Sequence, residues 1–491
     1  MSADGIRRNA GFAFAAQMTG AALTAVLTIF LGARLSAHDY GLFAFAVGVA
    51  TLWTLISDLG VSASASRFIA EHRGDRVAVR AVFTTALELK LVIGVVTSAA
   101  LFLLAPVICD LFNSAGAVWP LRGVAVALLG QSTFLMIFGA LDATGQIRYR
   151  LVIAAAESVV EAGSSIALVL VGAGATGAAF GRAIGYTTGL VLGVAVTARV
   201  IGLARHRAGA PRAVSRRRIL GYAGPLLLID AAFRVFGSID VLLVAAFLGG
   251  GAHVAAFELP MRLVVFLDYA PGAVAAAVAP RLATRDRVVP DVALFARTMR
   301  YLILLQVLLL PPLLVWPEAI FHVLFGDKYA EAPDVLRALV PFVLLSGVAQ
   351  LATLGVNYLG EAGRRVPFAV AMLAVNAGLD AVLLPRIGVV GAGIGTSAAY
   401  LVWVPAHLWI LRERLGLELA PLLRTTARAL LAAAVVCGLL ALLGTGQVAL
   451  WRMAVGALLA PWVYGAALLA LREITRAELA PLLGRVRRRV A

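Results

Sequence analysis

Charged residues, lysine and cysteine are all scarce in this chain, and each scarcity removes a class of protein from consideration. Asp, Glu, Lys and Arg together make up 14% of 491 residues, where a soluble domain carries roughly a quarter. The deficit runs the whole length, which excludes a soluble protein with one anchor. The only cysteines are Cys109 and Cys437, with neither a disulfide pattern nor metal-ligand spacing between them. The six histidines (His38, His72, His206, His253, His322 and His407) are scattered. Neither a metal centre nor a cofactor is expected. Lysine is limited to Lys90 and Lys328, against 40 arginines. The longest polar loops are only about 20 residues, too short to hold a catalytic domain.

What is present is apolar sequence. Hydrophobic types reach 62%, in runs near the 20 or so residues a helical span requires. Spans are predicted near 11–34, 41–65, 82–108, 119–143, 150–171, 176–198, 219–248, 253–279, 299–316, 334–359, 366–385, 388–411, 427–444 and 449–471. Runs such as Leu302–Leu310 do not alternate with period two, so helices are expected and a barrel is not. The first run is too long for a signal h-region and reads as an uncleaved span behind Arg7 and Arg8.

The formal charge of +16 does not point to nucleic acid, because the positive charges sit in alternate loops. With the N-terminus inside, the inner segments hold 32 Arg and Lys and the outer loops only Arg34, Lys328 and Arg386. That asymmetry orients the chain in an inner membrane with both termini cytoplasmic. The outer segment near 317–334 is acidic, with Glu318, Asp327, Glu331 and Asp334, and reads as a solvated loop.

An internal repeat is visible at an offset of 214. The segment Gly174–Tyr186 aligns with Gly388–Tyr400, and the same offset pairs Phe43 with Phe257 and Arg67 with Arg281. The predicted architecture is an all-α integral membrane protein of about 14 transmembrane helices. It comprises a six-helix lobe over 1–198, a basic cytoplasmic linker over 199–218, a second six-helix lobe over 219–411, and two further helices with a basic tail over 412–491. The Gly-rich stretches 172–181 and 388–395 read as small-residue packing motifs.

Several stretches resemble the oligosaccharide (Wzx-type) flippase family of the multidrug/oligosaccharidyl-lipid/polysaccharide exporter superfamily. In the first half these are Leu31–Phe43, Asp58-Leu59-Gly60 and Ser66–Ala70. In the second half they are Leu324–Tyr329 and Asn376–Gly395. The resemblance implies a V-shaped, two-lobed bundle that moves a polyprenyl-diphosphate-linked oligosaccharide across the cytoplasmic membrane by alternating access. It also implies a coupling proton or sodium ion, and a polysaccharide polymerase or glycosyltransferases as partners. Residues 11–33 carry no charge. They therefore lack the first-span arginine characteristic of the peptidoglycan-precursor branch, which favours an exopolysaccharide, O-antigen or similar repeat unit.

Seven basic residues fall inside predicted spans. Arg122, Arg337 and Arg452 lie near outer ends and can snorkel. Arg234 and Arg262 are deepest, roughly 22 and 15 Å in at about 1.5 Å per residue. A charge there costs about 2.5–3.5 kcal/mol or more and must meet water or a partner. Asp230 and Arg234, like Glu258 and Arg262, are spaced to share a helical face. Each pair could neutralise itself and hold helices together. Under the family resemblance, Arg234 and Arg262 instead receive the diphosphate. Lys90, Arg182, Asp230, Glu258, Asp58, Asn376 and Asp380 are second-tier candidates for cavity lining or ion coupling. Pro260 is expected to kink its span. Alternatives are a cation-coupled multidrug exporter of the same superfamily, whose cavity should favour carboxylates, and a membrane enzyme.

Overall fold

The computed structural model describes residues 20–203, 231, 234–278, 291–475 and 478. Among them there are helices and turns but no strand. In chain order the helices are α1 (Gly20–Arg34), α2 (Ala37–Asp58), α3 (Val61–Glu71), α4 (Arg76–Leu111), α5 (Val118–Ala143), α6 (Ile147–Leu170), α7 (Gly174–Val200) and α8 (234–248). There follow α9 (Ala252–Leu267), α10 (Tyr269–Val278), α11 (Val292–Val315), α12 (Pro317–Phe325), α13 (Ala332–Ala338), α14 (Val340–Tyr358), α15 (Val366–Ile387), α16 (Val390–Leu415), α17 (Leu419–Leu443) and α18 (Leu450–Ala470). Eleven of these are long and apolar enough to cross a membrane. The segments α1, α8 and α9–α10 lie where three further spans are predicted, so the protein is an all-helical, multi-span membrane protein. Asp230, the linker 204–218 and both chain ends fall outside the described residues.

The outward faces fit a lipid surround. Val92, Val96, Leu103, Val107 and Leu111 stand exposed along one side of α4, and Leu450, Trp451, Leu458 and Trp462 along α18. Apolar stripes of this length are not left bare on soluble monomers.

The chain forms two compact units, one of residues Met1–Leu259 with Asp380–Val389, the other of Pro260–Leu379 with Val390–Ala491. In the first unit, Ser36 caps α2 by accepting the Asp39 N–H at 3.0 Å, and Asp75 caps α4 through the Val77 and Ala78 N–H groups. Such caps satisfy donors that a helix start leaves open. The predicted second span is two helices, because Leu59 and Gly60 both adopt left-handed backbone between α2 and α3. Hydropathy runs straight through this break. Gly41 on α2 leaves no room for a side chain against the backbone of Gly251.

The small-residue motif at 172–181 is the start of a longer ladder. Gly177, Gly181, Gly185, Gly189 and Gly193 recur every fourth residue along α7. A Cβ on Gly177 would meet Leu168, one on Gly181 would meet Ser165, and one on Gly185 would lie 2.7 Å from the Glu161 Cα. Backbone approach of this kind replaces the hydrophobic drive that lipid cannot supply between helices.

In the second unit the predicted acidic loop contains two short helices, α12 and α13. Trp316 closes them from one side, its indole N–H donating to the Gly444 carbonyl at 2.9 Å. Arg337 ties both together through Glu318 at 2.6 Å and Asp334 at 3.0 Å. Tyr329 of the Leu324–Tyr329 motif is buried against Phe325. α9 runs through Pro260, where the kink is predicted, to Leu267, and the helix is interrupted at Asp268.

At the start of α11, Arg300 donates to Glu473 at 2.9 Å and to Glu478 at 2.8 Å. Thr425 and Arg428 of α17 also donate to Glu473. Hydrogen bonds from Arg300 and then the Thr475 N–H hold the Glu478 carboxyl down at about 2, from an ordinary 4.5. A group depressed in the folded state stabilises fully above its unfolded pKa and loses that contribution as pH falls through its folded value. The melting-temperature gap between wild type and Glu478→Gln should therefore be full above about pH 5. It should close as pH drops toward 2, read by intrinsic-fluorescence melts. Independently, Gly185→Leu should cost about 1–3 kcal/mol. Gly163→Leu, on α6 in open space, should melt close to wild type.

Candidate functional site

The break between α2 and α3 builds the polar centre of the first unit. A helix C-terminus presents carbonyls and a partial negative charge, which favours a cation beside it. Lys90 of α4 fills that position. Its side chain is fully buried, and its ammonium donates to the Ser57 carbonyl at 3.1 Å and to the Asp58 carboxylate. Asp58 also accepts the Ser62 hydroxyl at 2.5 Å. One turn earlier on α2, Thr54 accepts from Arg234 of α8 at 3.0 Å. Arg234 is close enough to Lys90 for the two cations to repel. Three of the candidates, Asp58, Lys90 and Arg234, thus meet in one cluster drawn from α2, α4 and α8.

A second cluster joins α6 and α7. Arg182 donates to Glu161 at 2.5 Å and to the Tyr186 hydroxyl at 3.2 Å, with its guanidinium over the Tyr186 ring. The buried Glu157 carboxyl lies beside that of Glu161. Glycines at 185 and 189 let both acids lie against α7.

A third polar group involves α8 and α15. Asp380 is fully buried and its carboxyl faces the buried Asp240. Asn376, one turn before Asp380 on α15, is also fully buried. Asp240 was visible in the sequence only as one carboxylate among many, because nothing in a linear pattern pairs residues 140 apart.

Glu258 is buried on α9 and Arg262, one turn on, is half-buried. Trp53 of α2 donates its indole N–H to the Thr97 carbonyl of α4 at 3.0 Å.

Sequence reasoning missed one buried cation entirely. Arg365, just before α15, donates to His407 of α16 at 3.1 Å and to Asn357, with its guanidinium over the Trp403 ring. In the sequence it is one of the 32 basic residues of the inner segments. The adjacent Arg364 pairs with Glu413 at 2.8 Å near the surface.

Burying either partner of the Lys90–Asp58 pair alone is costly, about 3–5 kcal/mol when one charge is removed. Asp58→Asn should therefore lower the melting temperature of the purified protein markedly, and Lys90→Met combined with Asp58→Asn should recover most of the loss in a double-mutant cycle.

The family described as "Polysaccharide biosynthesis protein" matches residues 6–285, more than half of the chain. Among curated proteins, none matches. Solved structures with this fold include the lipid II flippase MurJ in an inward closed conformation. It has a TM-score of 0.74 at 10% identity, over 95% of this chain and 99% of that one. An inward-facing multidrug resistance MATE family transporter of the MOP superfamily gives 0.63 at 15% identity, over 82% and 96%. A MOP superfamily transporter from Pyrococcus furiosus, described as having a binding pocket of reverse polarity, gives 0.58 at 17% identity, over 83% and 95%.

Proposed function

Because the chain belongs to the polysaccharide biosynthesis protein family, we propose that it is a flippase. Its substrate is a polyprenyl-diphosphate-linked oligosaccharide repeat unit, carried across the cytoplasmic membrane by alternating access. Both termini are cytoplasmic in this reading, a proton or sodium gradient drives the cycle, and a polymerase and glycosyltransferases act on the same glycan.

The observation that carries the reading is the cationic pair at the α2 break. Arg234 and Lys90 sit within a membrane-spanning unit, supported by a helix terminus, a carboxylate and a threonine hydroxyl. Deep basic groups suit an anionic headgroup. A guanidinium's planar fork matches phosphate oxygens two at a time. Arg262 on α9 is the second guanidinium we propose for substrate binding. A cavity of about 280 Å³, lined by apolar side chains including Met299, Ile303, Val348, Leu408 and Leu422, borders α17. It supports a path for the polyprenyl tail along the last helices. Export of cationic drugs fits less well, since a cationic cargo would be repelled by Arg234, whereas Lys90 is already paired with Asp58.

Each charge-assisted hydrogen bond contributes about 1.5–3 kcal/mol. Arg234→Ala or Arg262→Ala should therefore lower glycan export about tenfold or more in vesicles, with membrane insertion unchanged. Arg234→Lys, keeping the charge and losing the fork, should fall between. Wild-type export by the double alanine variant would overturn the assignment. Efflux of cationic dyes with no glycan transport would favour the multidrug reading instead.

A further inference from the structure

Three arginines stand near the outer ends of spans in the orientation proposed above: Arg122 on α5, Arg337 on α13 and Arg452 on α18. The protein itself satisfies two of them. Arg337 is held by Glu318 at 2.6 Å and Asp334 at 3.0 Å. Arg452 donates to the Leu443 carbonyl at 3.3 Å. Arg122, in the first unit, differs. It makes no hydrogen bond or ion pair with any described residue, and its Nε is buried without an acceptor. A guanidinium carries five N–H donors in a fixed fork and no acceptor. With Nε covered, the two terminal nitrogens are the ones left to meet a ligand.

What surrounds Arg122 is aromatic. Its guanidinium lies 5.1 Å from the Phe102 ring of α4 and 4.9 Å from the Trp119 ring of α5. Contacts of this kind hold a guanidinium in place without consuming its N–H donors. Trp119, Arg122 and Val126 recur at three and four residues and so share one face of α5. Trp119 is 56% and Val126 43% exposed, which turns that face toward lipid. Depth agrees with an interfacial position. The 26 residues of α5 span about 39 Å at about 1.5 Å per residue, against a hydrocarbon core of about 30 Å. Centred in the bilayer, the helix enters the core about 4–5 Å from its start. Arg122, four residues after Val118, lies about 6 Å in. Side chains lean toward a helix's N-terminus, so the guanidinium reaches back to the headgroup layer.

We propose that Arg122, Trp119 and Phe102 form a binding site for the headgroup of an anionic phospholipid at the start of α5. The terminal nitrogens of Arg122 donate side by side to two phosphate oxygens, the pairing that a planar fork favours. Phe102 and Trp119 keep the fork aimed, and their rings exclude water from one side of it, which strengthens its attraction to an anion. Trp119 sits where tryptophan is enriched, at the membrane–water boundary. Acyl chains below the headgroup meet the exposed Val126 of the same helix face. A phospholipid is the occupant because phosphodiesters fill this layer whether or not a transported substrate is present. A zwitterionic headgroup brings an ammonium that the guanidinium repels, so a net negative lipid is preferred. The orientation of the chain decides only which leaflet supplies it.

Lipid binding can be read without transport, so the site stands or falls independently of the flippase reading. The test uses the purified full-length protein in detergent, titrated with dioleoylphosphatidylglycerol or dioleoylphosphatidylcholine. Bound lipids are counted by native mass spectrometry and melting temperature is followed in parallel. Wild type should hold phosphatidylglycerol saturably and melt higher with it than with phosphatidylcholine. Arg122→Gln should hold one phosphatidylglycerol fewer, that site's affinity falling about tenfold or more. Arg122→Lys, which keeps the charge and loses the fork, should fall between. Arg452→Gln, at an arginine already bonded within the protein, should bind as wild type does. If Arg122→Gln does not fold, Arg122→Lys and the comparison of the two lipids on wild type decide the question. Equal retention of both lipids by wild type would overturn the site. So would an undiminished phosphatidylglycerol count in a folded Arg122 variant, or the same loss in Arg452→Gln. Tighter retention of geranylgeranyl diphosphate than of phosphatidylglycerol would give the site to the transported lipid and overturn it too.

Discussion

An ionised side chain in hydrocarbon has to be met by something polar, and that requirement organises the interior of this protein. Lys90 is met by the carbonyl end of α2 and by Asp58. Arg182 is met by Glu161, and Arg365 by a histidine, an asparagine and an indole face. Each arrangement needs a helix to stop, bend or approach its neighbour closely at a chosen depth. The helix breaks and glycine contacts are therefore part of how charge is accommodated.

The two helix interruptions serve different chemistry. At Leu59–Gly60 the exposed carbonyls and Asp58 face cations. At Asp268 the break holds a lone carboxylate among neutral groups. Irregular backbone at membrane depth survives only where protein or water satisfies it, and in both places a side chain from another helix does so, Lys90 at the Ser57 carbonyl and Gln350 at the Asp268 carbonyl. Along their middles, by contrast, the outward faces of α4 and α18 are apolar, with Val92, Val96, Leu103, Leu458 and Trp462 exposed.

The all-helical, multi-span character of the chain and the order of its spans were legible because hydropathy is a one-dimensional signal. The glycine repeat along α7 was legible only in its first turns. The breaks were not legible, since the apolar runs on either side outweigh the single aspartates Asp58 and Asp268 that stand at them. Pairings were invisible for another reason. Asp58 and Lys90 lie 32 residues apart and Asp268 and Ser346 lie 78 apart, so only packing joins them. Lys90 and Arg234 could be named from depth alone, but not that they share a cluster, and Arg365 was hidden by its place in a basic loop.

The glycine ladder has a further consequence for motion. At Gly177, Gly181 and Gly185 the contact between α7 and α6 reaches the α6 backbone itself. A helical hairpin joined in this way has no soft layer between its members. Rearrangement inside the first unit would carry α6 and α7 as one stiff rod, and their amide hydrogens would be among the slowest in the chain to exchange with heavy water.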